Sequence, residues 1–250
     1  MEPRSTRLAI VLVTGLFFLW ALAHNLNPIL IPHLRRALQL NDLRSALVDS
    51  AFFIAYFVMA LPAGALMARF GYRSGMVGGL LLFALGAALF WPAATLRSYP
   101  FFLSALFIIA SGLTFLETAA NPYITALGDP TTAHRRLNFA QAFNGLGAAL
   151  AAFFGGRFIL SGEAPSEEAM NAMAPATLDA FLAQEALAVR MPYLIIALVV
   201  LLAAVLFPRM HVAAASATCW VIAVSAINVP GYLWVQRVRR RHAAAARISE

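Results

Sequence analysis

The residues best suited to chemistry lie in Ser111–Thr125, SGLTFLETAANPYIT, which continues the apolar run PFFLSALFIIA. Into that run it sets a carboxylate, Glu117, then Asn121 and Pro122. A charged side chain near a bilayer centre costs at least ~2.5–3.5 kcal/mol on insertion scales, so a chain keeps one where it does work or has a fixed partner. On a helix, Glu117 and Asn121 are one turn apart and share a face with Thr114. Pro122 has no N–H and leaves the Thr118 carbonyl unpaired, which is tolerable only beside protein or water. The simplest alternative is a structural carboxylate satisfied by a neighbouring helix. A buried carboxyl with an amide beside it suits proton binding and recognition of a polar solute.

A second concentration of polarity lies in WALAHNLNPILIP, with His24, Asn25 and Asn27 inside an otherwise apolar segment. Pro28 frees the His24 carbonyl and Pro32 frees that of Pro28, so this stretch must face a cavity or other protein. Phe18, Ala21, Asn25 and Pro28 make one helical stripe; Phe17, Trp20 and His24 make the next. Amides beside aromatics suit a sugar, whose hydroxyls take hydrogen bonds and whose C–H faces stack on rings. For Trp20 alone, packing is the simpler reading. Gln141 and Asn144 form a third polar pair, three residues apart on one helical face, with interhelical hydrogen bonding as the plainer alternative.

The elements that position these groups are membrane helices. The chain is 62% hydrophobic and 12% charged, with a mean hydropathy of +0.78. That composition predicts an all-α, polytopic membrane protein. The expected spans are about 8–32, 45–68, 75–96, 99–127, 137–160 and 191–207. They make up a six-helix unit over 1–210, with an amphipathic segment at the membrane interface inside the long loop 161–190. No cleavable leader is expected, because the first apolar run is too long and carries polar residues. Asp49 falls in the first turns of the second span and reads as a solvated or capping carboxylate near the membrane surface.

The net charge of +7 comes from arginine, since there is no lysine. The arginines are dispersed over short loops and a C-terminal cluster, which argues against nucleic acid as a partner. The one cysteine, Cys219, excludes an internal disulfide and a cysteine metal cluster. There is no metal-ligand spacing, phosphate loop, nucleophile elbow or cofactor fingerprint, so neither an enzyme nor a cofactor is expected. Orientation by charge is nearly balanced. With the N-terminus inside, Arg4, Arg7, Arg69, Arg73, Arg135, Arg136 and Arg209 oppose Arg35, Arg36, Arg44, Arg97, Arg157 and Arg190.

Several stretches together resemble one family: FFLWALAHNLNPILIPHL, SAFFIAYFVMALPAGALMARFGYRSG, LGAALFWPAA, LFIIASGLTFLETAANPYITALG, RLNFAQAFNGLGA and MPYLIIA. They look like the fucose:proton symporter family of the major facilitator superfamily, which includes glucose and galactose transporters. The resemblance runs from Phe17 to Phe207. It implies the N-terminal six-helix half of a transporter that encloses one central sugar site and works by alternating access in the bacterial inner membrane. The implied partners are a monosaccharide, a proton, the lipid bilayer and a missing C-terminal half.

The resemblance places the family's membrane-embedded acid on Glu117, and its sugar-contacting amides on Asn25, Gln141 and Asn144. The Glu in LETAANPY and the long loop 161–190 favour the fucose branch. The loop with Gly64, Arg69, Gly71 and Arg73 resembles the superfamily's conformational loop between helices two and three, with Ala68 where an Asp is usual. Pro28 stands where the family carries a second acid, which leaves Glu117 and His24 as proton carriers. Asn121 and Trp20 complete the substrate set. The alternative function is a half-transporter that binds sugar, as a sensor or decayed gene product, without moving it. Beyond 210 the resemblance fades. Val212–Val235 is a weak apolar run interrupted by Asn228, Pro230 and Gly231, and Arg237, Arg239, Arg240 and Arg241 follow it. That segment is expected not to be an authentic seventh helix; its sequence reads as a frameshift or early stop.

Overall fold

The computed structural model describes residues 4–159, 169–170 and 172–209. The expectations for 211–250 and for most of the stretch before Ala172 in the long loop therefore lie outside the described residues. The described chain is helical: α1 (Arg4–Ala37), α2 (Asp42–Thr95), α3 (Tyr99–Ala126), α4 (Ala133–Ile159), α5 (Pro175–Ala188) and α6 (Arg190–Arg209), with one 3-10 turn at Pro130–Thr132. Five of these helical segments are long and apolar enough to cross a membrane. Large apolar side chains such as Phe57 (84% exposed) and Leu61 lie on the outside, which is a membrane protein's surface rather than a soluble one's.

The expected loop between the second and third spans is almost absent. α2 is continuous over 54 residues except at Gly71, which has φ 81 and ψ 167. A straight helix of that length would reach about 80 Å, against a hydrocarbon core of about 30 Å. Gly71 bends it in one residue, because only glycine enters that backbone region without steric cost. The result is two membrane-length arms, 42–70 and 72–95. Their far ends meet: the Tyr99 hydroxyl, just past the second arm, donates to the Arg44 carbonyl at the start of the first, 2.8 Å away. Asn41 caps the N-terminus of α2 by accepting from the Arg44 N–H.

α3 is the most enclosed helix, packed most extensively on α2. Close approach of the two backbones sets that interface. A Cβ on Gly112 would come within 2.6 Å of the Gly79 carbonyl oxygen and the Phe83 nitrogen. Backbone cannot move aside as a side chain can, so Gly112→Ala should destabilise the fold by about 1–3 kcal/mol through overpacking. Thermal unfolding in detergent should show this as a lowered midpoint. Gly145→Ala, where a Cβ meets nothing within 4 Å, should leave the midpoint nearly unchanged. α1 packs mainly on α4, and α6 on α2, where the Phe90 and Tyr193 rings stack 3.8 Å apart.

α5 docks through Leu182 and Ala186 and is held at two points on the face where α1 ends and α3 begins. Asp179 pairs with Arg97 at 2.6 Å. The Glu185 carbonyl oxygen accepts from His33 Nε2 at 2.8 Å, and its carboxylate lies 3.3 Å from His33 Nδ1 without a hydrogen bond to it. Arg190, which begins α6, lies 3.6 Å from the Trp91 ring centre. His33 is only 1% exposed.

Candidate functional site in the membrane helices

α1 carries polar groups on two stripes that face different neighbours. One stripe meets α4. A Cβ on Gly147 would lie 2.5 Å from the Phe18 carbonyl oxygen, so the two backbones cross here, and Asn144 donates to the Phe17 carbonyl at 3.4 Å. Asn25, on the same side of α1, turns its amide back to the Ala21 carbonyl at 2.8 Å. Trp20 is buried beside Phe17, ring centres 5.5 Å apart.

α3 adds its own polar face. Asn121 donates to the Glu117 carbonyl at 3.1 Å. Gln141 on α4 donates to the Asn121 side-chain oxygen at 3.4 Å. Thr114, one turn before Glu117, is turned to the Ala110 carbonyl. Glu117 and Asn121 are half-buried, Asn144 is half-buried and Gln141 is exposed. Glu117, Asn121, Gln141 and Asn144 thus occupy adjoining surfaces of α3 and α4, with Asn25 across the α1–α4 contact and Trp20 on the side of α1 that meets Tyr56.

The second stripe of α1 meets the first arm of α2. His24 packs edge-on against Phe52 and Tyr56, and its Nδ1 lies 3.5 Å from the Tyr56 hydroxyl. Tyr56 interacts with the side chain of Trp20 and with the charge of Glu117. Asn27, buried, donates to Asp49 at 3.4 Å. Asp49 is therefore neither a cap nor simply solvated, as the sequence suggested. Asn41 holds the capping position, and Asp49 is half-buried against α1 two turns further on.

Sequence reasoning passed over Tyr56. A signal was available: Asp49, Phe52 and Tyr56 are spaced three and four apart on one helical face. His33 carried no such signal, because its partner Glu185 is remote in the chain.

Of the four residues assigned to a conformational loop, Gly71 makes the bend and Gly64 is buried within the first arm. Arg69 and Arg73 are exposed. Arg69 lies over the Phe70 ring, and Arg73 is near Tyr123 of α3. The basic group that is buried on this face is Arg136, 8% exposed. Its guanidinium donates to the carbonyls of Ile124, Thr125 and Asp129 and to the Thr132 hydroxyl. These include carbonyls at the C-terminal end of α3, which a helix leaves unpaired. The Asp129 carboxylate accepts from the Thr131 N–H and hydroxyl, which together hold its pKa below the ordinary carboxylate value, with the Arg136 charge adding to this.

A bundle of long apolar helices with half-buried amides and one deep acid is matched by known proteins. The Major Facilitator Superfamily matches residues 12–216. The chain belongs to the major facilitator superfamily. It is a multi-pass membrane protein, and its relatives within the superfamily are transporters rather than enzymes.

The chain is 47% identical over 206 residues to the L-fucose-proton symporter of Escherichia coli (strain K12), covering 82% of this chain and 47% of that protein. It is 48% identical over 199 residues to the glucose/galactose transporter of Brucella abortus biovar 1 (strain 9-941), covering 80% of this chain and 45% of that one. Its fold is similar to the crystal structure of the superfamily transporter FucP in the outward conformation, with a TM-score of 0.74 and 47% identity, covering 82% of this chain and 50% of that chain. The chain spans about half the length of the curated relatives it matches.

Proposed function

We propose that this chain contributes the sugar-contacting and proton-binding helices of a monosaccharide–proton symporter of the bacterial inner membrane, working by alternating access with a second six-helix half. L-Fucose is the favoured substrate, with galactose and glucose next. The observation that carries this reading is the join between Glu117, Asn121 and Gln141 across α3 and α4. It supports a surface shared by amide donors of α3 and α4 next to the turn of α3 that carries the acid. The relatives named for fucose-proton symport and for glucose/galactose transport support the substrate class.

In this reading Trp20 offers a ring face to the sugar, Asn25, Asn121, Gln141 and Asn144 offer hydrogen bonds, and Glu117 and His24 are the proton carriers. Gly64, Arg69, Gly71 and Arg73 belong to the hinge face. One proton falling through about 100 mV releases about 2.3 kcal/mol, enough for roughly fifty-fold sugar accumulation.

The test is uptake of labelled L-fucose, D-galactose and D-glucose by proteoliposomes, with and without an inward proton gradient. Gradient-driven accumulation of one of them is the expected result; no accumulation of any overturns symport. Saturable sugar binding with no uptake would instead support a half that binds sugar without moving it.

A further inference from the structure

We propose that Asp49 is the entry acid of a proton path from the membrane face where α2 begins, and that it feeds Glu117 through His24 and Tyr56. This rests on the proposed proton coupling.

The depth of each group follows from the helices. The end of α1 and the starts of α2 and α3 share one face of the bundle, as the Tyr99–Arg44 hydrogen bond requires. Asp49 lies seven residues into α2, roughly 10 Å from that end at 1.5 Å per residue. Tyr56 lies about 20 Å in on the same helix, with His24 at nearly the same depth on α1. Glu117, eighteen residues into α3, is roughly 27 Å in. The four titratable groups therefore form a descending series rather than a cluster.

One pair in the series, His24 and Tyr56, is in direct contact, and Asp49 and Glu117 flank it on either side. Asn27 anchors Asp49 to α1, where the Asp49 charge acts on His24. His24 Nδ1 faces the Tyr56 hydroxyl, and the Glu117 charge acts on that phenol. Among the described residues, the titratable groups that follow Asp49 along the series are His24 from α1, Tyr56 from α2 and Glu117 from α3, and Tyr193 from α6 lines the same space as Asn27 and Phe52. The first arm of α2 presents no arginine or lysine between Arg44 and Arg69, so no fixed cation interrupts the series on that helix.

The transfer balances without a co-reactant. A proton from water forms an O–H bond on Asp49. That bond breaks as the far nitrogen of His24 gains the proton, directly or through a bridging water. The imidazole releases a different proton from Nδ1 to the Tyr56 oxygen, and the phenol's own proton passes to the Glu117 carboxylate. Imidazole suits this step because its two nitrogens accept and donate on opposite sides.

The experiment is time-resolved infrared spectroscopy of the reconstituted protein after an acid jump on the side where α2 begins. Glu117 protonation is read from the protonated-carboxyl stretch, assigned by its loss in Glu117→Gln. Asp49→Asn should slow the appearance of that band by about tenfold or more, in line with the worth of a positioned proton carrier. His24→Asn and Tyr56→Phe should slow it as well. Asp49→Glu should restore the rate, which separates loss of the acid from damage to the fold.

An unchanged rate in Asp49→Asn overturns the proposal, as does failure of Asp49→Glu to restore it in a protein that unfolds at the wild-type temperature. The readout needs no sugar. If labelled sugars are not taken up but Asp49→Asn still slows the band, the proton path stands and the symport reading falls.

Discussion

Glu117→Gln is expected to abolish pH-driven sugar accumulation in proteoliposomes, from roughly fifty-fold at about 100 mV to none. Gln resembles the protonated acid in shape and hydrogen bonding, so the loaded state still forms and sugar exchange across the membrane continues. What is lost is release of a proton on the other side. The structure gives Glu117 no cation to hold it charged: among the described residues no salt bridge involves it, and its backbone carbonyl, not its carboxylate, is what Asn121 takes. The measurement is accumulation of labelled fucose under a pH gradient, beside counterflow at equal pH. His24→Asn is the companion variant. If both variants keep wild-type pH-driven accumulation, neither residue carries the proton.

The second large effect is expected at Arg136. Arg136→Ala removes the group that pairs the Ile124 and Thr125 carbonyls at the end of α3 and ties them to the turn that begins α4. Hydrogen bonds from a charged donor are worth about 1.5–3 kcal/mol each, and the buried carbonyls left behind add a desolvation cost. A loss of about 3 kcal/mol is therefore expected, read as a lower unfolding midpoint in detergent. Arg136→Lys should recover only part of it, because an ammonium has no planar fork to span several carbonyls. Arg135→Ala, next door but exposed, should stay within about 0.5 kcal/mol.

The same turn also has a definite pH response. The Asp129 carboxyl titrates below its ordinary value in the fold. Its contribution is therefore intact at and above the ordinary carboxylate range and is lost only as pH falls through the depressed value. The turn should be indifferent to pH near neutrality and loosen in strong acid.

The all-helical membrane architecture was legible in the sequence because lipid leaves a spanning chain almost no choice: every backbone group must be paired internally, so long apolar runs become helices. The special character of Glu117, His24, Asn25 and Asn121 was legible for the same reason, since polar groups in such runs carry a standing cost. Which side chains face one another was not. Spacing puts Trp20 and His24 on one stripe of α1, but only the packing shows that this stripe meets Phe52 and Tyr56 while the next meets Gly147 and Asn144.

Asp49 shows the limit most clearly. From sequence it is an acid near a helix start, indistinguishable from a cap; in the fold, Asn41 caps the helix and Asp49 is joined to Asn27 on another helix. His33 and Glu185, Arg97 and Asp179, and Arg136 with the end of α3 are likewise meetings of residues from different helices. Periodicity reports which face of its own helix a residue occupies, a local property fixed by 3.6 residues per turn. What that face touches depends on how the helices cross. Those crossings are set by backbone contacts such as Gly79 on Gly112 and by the single-residue bend at Gly71, and they exist only once the whole bundle has assembled.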